Sequence, residues 1–406
     1  MNPSTVRTPL RLAGLLAALG MLGPFSIDTF FPAFQDVEQD LSASIVQMQL
    51  TISLYLVGFA LMCLLYGPMS DAYGRRPVIL WSLVVFVLAS IGATLAPTIE
   101  VLLAFRFVQG LSAGAGTVVG RAIVRDCYDG AQAQRLMSQV TLIFALAPAV
   151  APIIGGWIHA VADWRAIFVA ITLFGAALLL LTYQRLVETH PLDKRSAFAP
   201  APLLKISTRI FLDVRFGLLC TAAAFNFSAM FLYIASAPAV VLDLMQMKTT
   251  DFAYFFIPAI AGIIIGSQIS GRVAGRISTR RTLTIAYAIM LSASAINIAY
   301  NVIHPSMQWP WAILPVTLYA IGSSLAFPTL TLKMLDLFPL HRGAASAVQT
   351  FASLALNALI AGLLSPLVSH SGLHLALAAT GLMLVGLIAS LCYAWLFRRP
   401  AALRLS

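Results

Sequence analysis

A carboxylate inside a stretch long enough to cross a lipid bilayer constrains this chain more than anything else in it. Residues 12–34 are an apolar run containing Gly23-Pro24-Phe25-Ser26-Ile27-Asp28-Thr29-Phe30-Phe31-Pro32. At about 1.5 Å per helical residue, such a run spans the hydrocarbon core. An ionisable group there costs at least about 2.5 kcal/mol even on the lenient insertion scale. Helix formation does not need the acid, so Asp28 is read as a group that takes up and releases a proton, coupled by the rest of the chain to a cargo.

Eleven more apolar runs follow, at 46–67, 77–97, 100–122, 137–159, 165–184, 214–236, 252–274, 282–301, 309–332, 344–367 and 373–397. Only 10% of the residues are charged and 60% are hydrophobic, against about 25% charged in a soluble domain. The expected fold is therefore an all-α integral membrane protein with twelve transmembrane helices. The net charge of +10 would suit nucleic acid, but its distribution excludes that partner. Of the 25 Lys and Arg, all but Arg106, Arg165 and Lys248 fall on one side of the membrane. That asymmetry predicts a cytoplasmic basic face against anionic lipid heads, with both termini inside. The four cysteines show no metal or redox spacing, so no metal, cofactor or disulfide framework is expected. The first run lacks a small-residue cleavage site and is expected to stay in the mature chain.

Between Gln184 and Gly217 the apolar pattern stops, and Arg185, Lys194, Arg195, Lys205, Arg209 and Arg215 alternate with Pro191, Pro200 and Pro202. This reads as a cytoplasmic linker, 185–213, between six-helix halves at 1–184 and 214–406. A duplicated bundle suits a protein that exposes a midplane site to each side in turn. No Asp or Glu lies deep in any span of the second half.

Counted along continuous helices, Asp28 and Arg106 each lie six residues, about 9 Å, from the same face. Proximity to the guanidinium favours ionisation of the acid and desolvation favours its protonation, so a balance between them suits a proton carrier. The competing reading is a purely structural ion pair between the first and fourth spans. After the second span comes Gly67-Pro68-Met69-Ser70-Asp71-Ala72-Tyr73-Gly74-Arg75-Arg76. Its glycines permit a tight turn, Asp71 can cap or pair at helix ends, and Arg75 and Arg76 can engage acids or lipid phosphates. The matching stretch of the second half, Gly271-Arg272-Val273-Ala274-Gly275-Arg276, has Arg272 where Asp71 would align. In the fifth span, Pro148, Pro152, Gly155 and Gly156 suit a bent helix that packs closely, or a flexible seam between halves.

The loop from Gly67 to Arg76 resembles the signature Gly-x-x-x-Asp-x-x-Gly-Arg-Arg of the major facilitator superfamily. Arg106-Phe107-Val108-Gln109-Gly110 is similar to the fourth-helix motif of proton-driven antiporters. Pro152-Ile153-Ile154-Gly155-Gly156 is similar to their fifth-helix motif, with Ala151 in place of its first Gly. With Asp28-Thr29-Phe30-Phe31-Pro32-Ala33 and Arg121-Ala122-Ile123-Val124-Arg125-Asp126, the pattern resembles the Bcr/CflA drug:proton antiporters. That resemblance implies two bundles related by a pseudo-two-fold axis. It also implies export of amphipathic, bicyclomycin- or chloramphenicol-like drugs across a bacterial inner membrane, by a protein able to work as a monomer. Asp28 and Arg106 would be the coupling pair.

Residues expected to line the cargo cavity are Phe25, Phe30, Tyr55, Gln109, Gln139, Asn226, Met230, Phe231, Tyr233, Tyr319 and Gln349, with Phe227, Phe255 and Phe256 as further aromatic surface. A carrier of a small metabolite, such as an amino acid or sugar derivative, is the alternative. A fixed-charge metabolite would call for a charged clamp in the second half, and none is visible. A membrane enzyme would need a cluster of His, Cys, Asp or Glu at one face, and a channel would need filter strings; the sequence has neither.

Overall fold

The computed structural model describes residues 9–397 other than 129, 196 and 305; the side chains of 9–11, 130, 131, 133–135, 138, 139, 141–145, 194, 200 and 203 also lie outside the description. Everything regular within it is helical. In chain order the helices are α1 (Pro9–Asp28), α2 (Phe34–Asp40), α3 (Ile45–Tyr73), α4 (Arg75–Thr94), α5 (Ile99–Ala113), α6 (Ala115–Cys127), α7 (Gly130–His159) and α8 (Trp164–Arg185). A linker helix α9 (Pro200–Phe211) precedes α10 (Val214–Ala235), α11 (Ala253–Val273), α12 (Thr279–Ile303), α13 (Leu314–Leu337), α14 (Arg342–Leu359), α15 (Ser365–Val368) and α16 (Gly372–Leu396). Among the described residues, eleven helical stretches are long and apolar enough to cross a membrane, and the apolar part of α7, Leu146–His159, is a shorter apolar helix.

Pairing within the second half repeats that of the first. α3 packs on α5 as α11 packs on α13; α4 packs on α8 as α12 packs on α16; α1 packs on α7 as α10 packs on α14. The contacts between halves are also reciprocal, α3 with α14 and α11 with α7. Glycines set the closest approaches, since a Cβ at Gly110 would lie 2.0 Å from the Tyr55 carbonyl oxygen and one at Gly266 would lie 2.3 Å from that of Ile321.

The first span differs from the continuous helix expected over 12–34. α1 stops at Asp28, a turn and one 3-10 turn (Phe31–Ala33) follow, and α2 restarts at Phe34. Pro32 explains the break: in a continued helix its ring would strike the carbonyl of the residue four earlier, Asp28, and it has no N–H to offer that carbonyl. Asp28 therefore sits at a helix end, and the depth counted along an unbroken helix does not apply. The linker also differs, because α9 is a helix where none was expected. Pro200 occupies its first position, where a missing N–H costs nothing, and it buries Ser207 and Ile210 while packing on α14.

The two ends of the molecule are chemically distinct. One carries Asp36 and Asp40 after the first span and the other carries the Gly67–Arg76 stretch; they are called the acidic and basic ends. Among the described residues, the side-chain hydrogen bonds that cross between halves lie toward the acidic end. Gln35 donates to Asp243 at 2.7 Å, Gln49 to the Ala235 carbonyl at 3.1 Å and Ser53 to the Ala358 carbonyl at 2.7 Å. Phe31 stacks on Phe256 across the same seam, with ring centroids 6.1 Å apart.

Gly155 is where this packing is most exposed to a test, because a Cβ there would lie 2.0 Å from the carbonyl oxygen of Thr29. Gly155→Ala is expected to lower the Tm of the purified protein, the overpacking costing about 1–3 kcal/mol. Gly381→Ala, where nothing lies within 4 Å, is the matched control and should be neutral or slightly stabilising.

Candidate functional site

Asp28 and Arg106 both face the protein interior, with residue exposures of 4% and 0%. The competing reading, a structural ion pair between them, is not what the structure shows: among the described residues neither makes a salt bridge, and the Asp28 carboxyl makes no hydrogen bond. Arg106 is held otherwise. Its Nη1 donates to the Ser26 carbonyl at 3.2 Å and to Gln109 Oε1 at 2.9 Å, and Nε donates to the Thr51 carbonyl at 3.4 Å. Aromatic faces surround the guanidinium, with Tyr55 at 4.5 Å, Phe30 at 5.6 Å and Phe168 at 6.0 Å. A cation over such faces gains on the order of 2 kcal/mol when desolvated. Its Nη2 has no partner among the described residues.

The box around Arg106 is braced from three helices. Gln109 Nε2 donates to Ser90 Oγ at 2.8 Å on α4, Ser26 Oγ donates to the Tyr55 hydroxyl at 2.8 Å, and that hydroxyl donates to the Gly23 carbonyl at 3.1 Å. Asp28 lies two residues beyond Ser26, at the end of α1. Among the described residues, the arrangement offers a buried acid with no hydrogen bond or salt bridge and a buried cation with one unpaired donor. It can exchange a proton without first breaking a salt bridge.

The Gly67–Arg76 stretch is less of a loop than its composition suggested. α3 continues through Gly67 and Pro68 to Tyr73, and nothing lies within 4 Å of a Cβ at Gly67. The turn is Gly74 alone, at φ +99°, a conformation that favours glycine. Arg75, at the start of α4, bridges Asp71 and Asp126, with Nε 2.9 Å from Asp126 Oδ2. Arg76 donates to the Tyr183 carbonyl at 2.8 Å and lies over the Tyr183 ring at 5.4 Å.

Sequence reasoning missed Glu188. Its two carboxylate oxygens accept from the backbone N–H groups of Arg75 at 3.0 Å and Arg76 at 3.1 Å, capping α4, and Arg195 Nη2 lies 3.7 Å away. An acid placed just past the sixth span, among the arginines and lysines of the linker, was the available signal. Glu188→Gln removes the charge-assisted part of this cap and is expected to cost about 1 kcal/mol. A fall in Tm that Glu188→Asp partly restores would mark it as the cap.

The fifth-helix motif lies at two contacts. Pro152 is within α7; Gly155 meets Thr29, beside the break at Asp28, and Gly156 faces Thr249, where a Cβ would be 2.3 Å from the carbonyl oxygen. The cavity candidates divide rather than converge. Phe25 packs on Phe174 of α8 with ring centroids 5.0 Å apart, while Phe30, Tyr55 and Gln109 belong to the Arg106 box. Met230, Tyr233 and Tyr319 line a small cavity inside the second half, with Ser294, Asn297 and Thr380. Phe231 is buried on α10. Asn226 donates to the Tyr287 hydroxyl at 2.9 Å and Gln349 to Thr331 at 2.8 Å. The side chain of Gln139 lies outside the described residues.

The sequence model of the Major Facilitator Superfamily matches residues 16–361. The uncharacterized MFS-type transporter YdgK of Bacillus subtilis is 36% identical over 370 residues, covering 90% of each chain. A bicyclomycin resistance protein homolog of Haemophilus influenzae is 32% identical over 303 residues, 73% of this chain and 75% of that one. Multidrug resistance protein MdtM of Salmonella typhimurium is 28% identical over 369 residues, 90% of this chain and 88% of that one. Among solved structures, a D-xylose-proton symporter superposes with TM-score 0.74 at 13% identity, over 96% of this chain and 98% of that one. That likeness speaks to the fold.

Proposed function

Since the chain belongs to the major facilitator superfamily and is a membrane transporter rather than an enzyme, we propose that it is a proton-coupled exporter of amphipathic drugs, working by alternating access. The observation that carries the reading is the buried Asp28, which among the described residues has no salt bridge or hydrogen bond and follows Ser26, whose carbonyl accepts from Arg106. An acid without a fixed partner is free to load and release protons as access changes. Relatives named for bicyclomycin and multidrug resistance support a drug as the cargo. A second half without deep Asp or Glu favours neutral, cationic or zwitterionic amphipaths.

With the basic end in the cytoplasm of a bacterial inner membrane, the seam made by Gln35, Gln49, Ser53 and Phe31 closes the protein toward the outside. Residues 1–184 and 214–406 then rock about this seam and 185–213 connects them. Expression in an efflux-deficient bacterium tests the proposal, through a toxicity panel and dye efflux with and without a protonophore. The expected result is raised resistance to several amphipathic compounds, with efflux that the protonophore abolishes. Unchanged susceptibility to every compound would favour a small-metabolite carrier instead.

A further inference from the structure

The turn between α11 and α12 carries four arginines that no acid among the described residues compensates. Arg272 is in the last turn of α11, Arg276 follows Gly275, and Arg280 and Arg281 are in the first turn of α12. All four are exposed, and none makes an ion pair or side-chain hydrogen bond among the described residues. The corresponding turn in the first half is neutralised from within, where Arg75 bridges Asp71 and Asp126.

Counting acids shows why the second half cannot do the same. After residue 200 the chain contains only Asp213, Asp243, Asp251 and Asp336. Asp213 pairs with Arg215 at 2.9 Å and Asp336 with Arg342 at 3.2 Å. Asp243 and Asp251 flank the loop at the opposite, acidic end. Arg280 and Arg281 also sit at the positive end of the α12 dipole, where cations are unfavourable and anions are attracted. No acid occupies that first turn.

We infer that the α11–α12 turn is a binding site for the headgroup phosphate of an anionic membrane lipid. The turn lies where two membrane-spanning helices leave the hydrocarbon. The same helices expose Ile265 and Ile285, which gives acyl chains an apolar surface beside the charges. Guanidinium forks match phosphate oxygens, and juxtamembrane arginines attract anionic lipid. A phosphate there meets arginines from both sides of the turn at the positive end of α12, where Ser278 Oγ already accepts from the Arg281 N–H.

The test uses the full-length purified protein, titrated in detergent with phosphatidylglycerol or phosphatidylcholine. Bound lipid is counted by native mass spectrometry and Tm is read in parallel. Phosphatidylglycerol should be retained and should raise Tm, while phosphatidylcholine should do neither. Its apparent affinity should fall about fivefold for each arginine removed, through R280Q/R281Q to R272Q/R276Q/R280Q/R281Q. The double variant relieves an unfavourable dipole contact, so it should fold at least as well as the parent and decides the matter if the quadruple variant does not fold. K205Q/R209Q, which removes two basic residues of α9, should bind like the parent. The inference is overturned if R280Q/R281Q keeps parental affinity, if K205Q/R209Q weakens binding equally, or if inorganic phosphate raises Tm as much as the lipid.

Discussion

With Asn in place of Asp28, the protein is expected to insert, fold and melt like the parent while gradient-driven transport disappears. Asn has nearly the shape of Asp but cannot exchange a proton in the physiological range. Because the Asp28 carboxyl has no salt bridge or hydrogen bond among the described residues, the substitution breaks neither there, and the stability change should stay within about 1 kcal/mol. The measurement is cargo efflux from proteoliposomes under an imposed pH gradient, with Tm as the folding control. Undiminished pH-driven efflux by Asp28→Asn would remove the coupling role. A large fall in Tm would instead make Asp28 a structural residue.

Arg106→Lys is expected to abolish transport and to destabilise as well, which separates Arg106 from Asp28. Lysine keeps the charge but not the planar fork that serves the Ser26 carbonyl and Gln109 together while lying against Tyr55. Losing one charge-assisted hydrogen bond and the stacking should cost about 2–3 kcal/mol. Arg106→Ala also leaves a cavity and orphaned carbonyls, and should cost about 3–5 kcal/mol. If Arg106→Lys transported at the parental rate with an unchanged Tm, the residue would be needed only as a charge, and the aromatic box would have no part in its role.

Much of this site was legible from residue types alone. Asp28 and Arg106 stood out because a charge in hydrocarbon is costly wherever it falls. What could not be read was how each is held: Pro32 ends α1 at Asp28, and backbone carbonyls, Gln109 and aromatic faces hold Arg106 in place of a salt bridge. Gly74 was legible as a turn, whereas Gly67 in the same string is inside α3. Glu188 was overlooked because its partners are 112 and 113 positions away in sequence. The cavity residues were chosen for chemistry, and chemistry does not say which neighbour a phenylalanine meets.

The sequence by itself determined the membrane helices, the basic and acidic ends and the duplicated order of elements. These follow from local quantities, the length of each apolar run and the sign of the charges between runs, which the bilayer reads one segment at a time. Only the tertiary structure decided that Arg106 is boxed by Tyr55, Phe30 and Phe168, that the halves meet at Gln35, Gln49 and Ser53, and that the α11–α12 arginines meet no acid among the described residues. Those outcomes depend on which distant side chains are brought within a few ångströms, and that is set by helix packing rather than by any property of a single span.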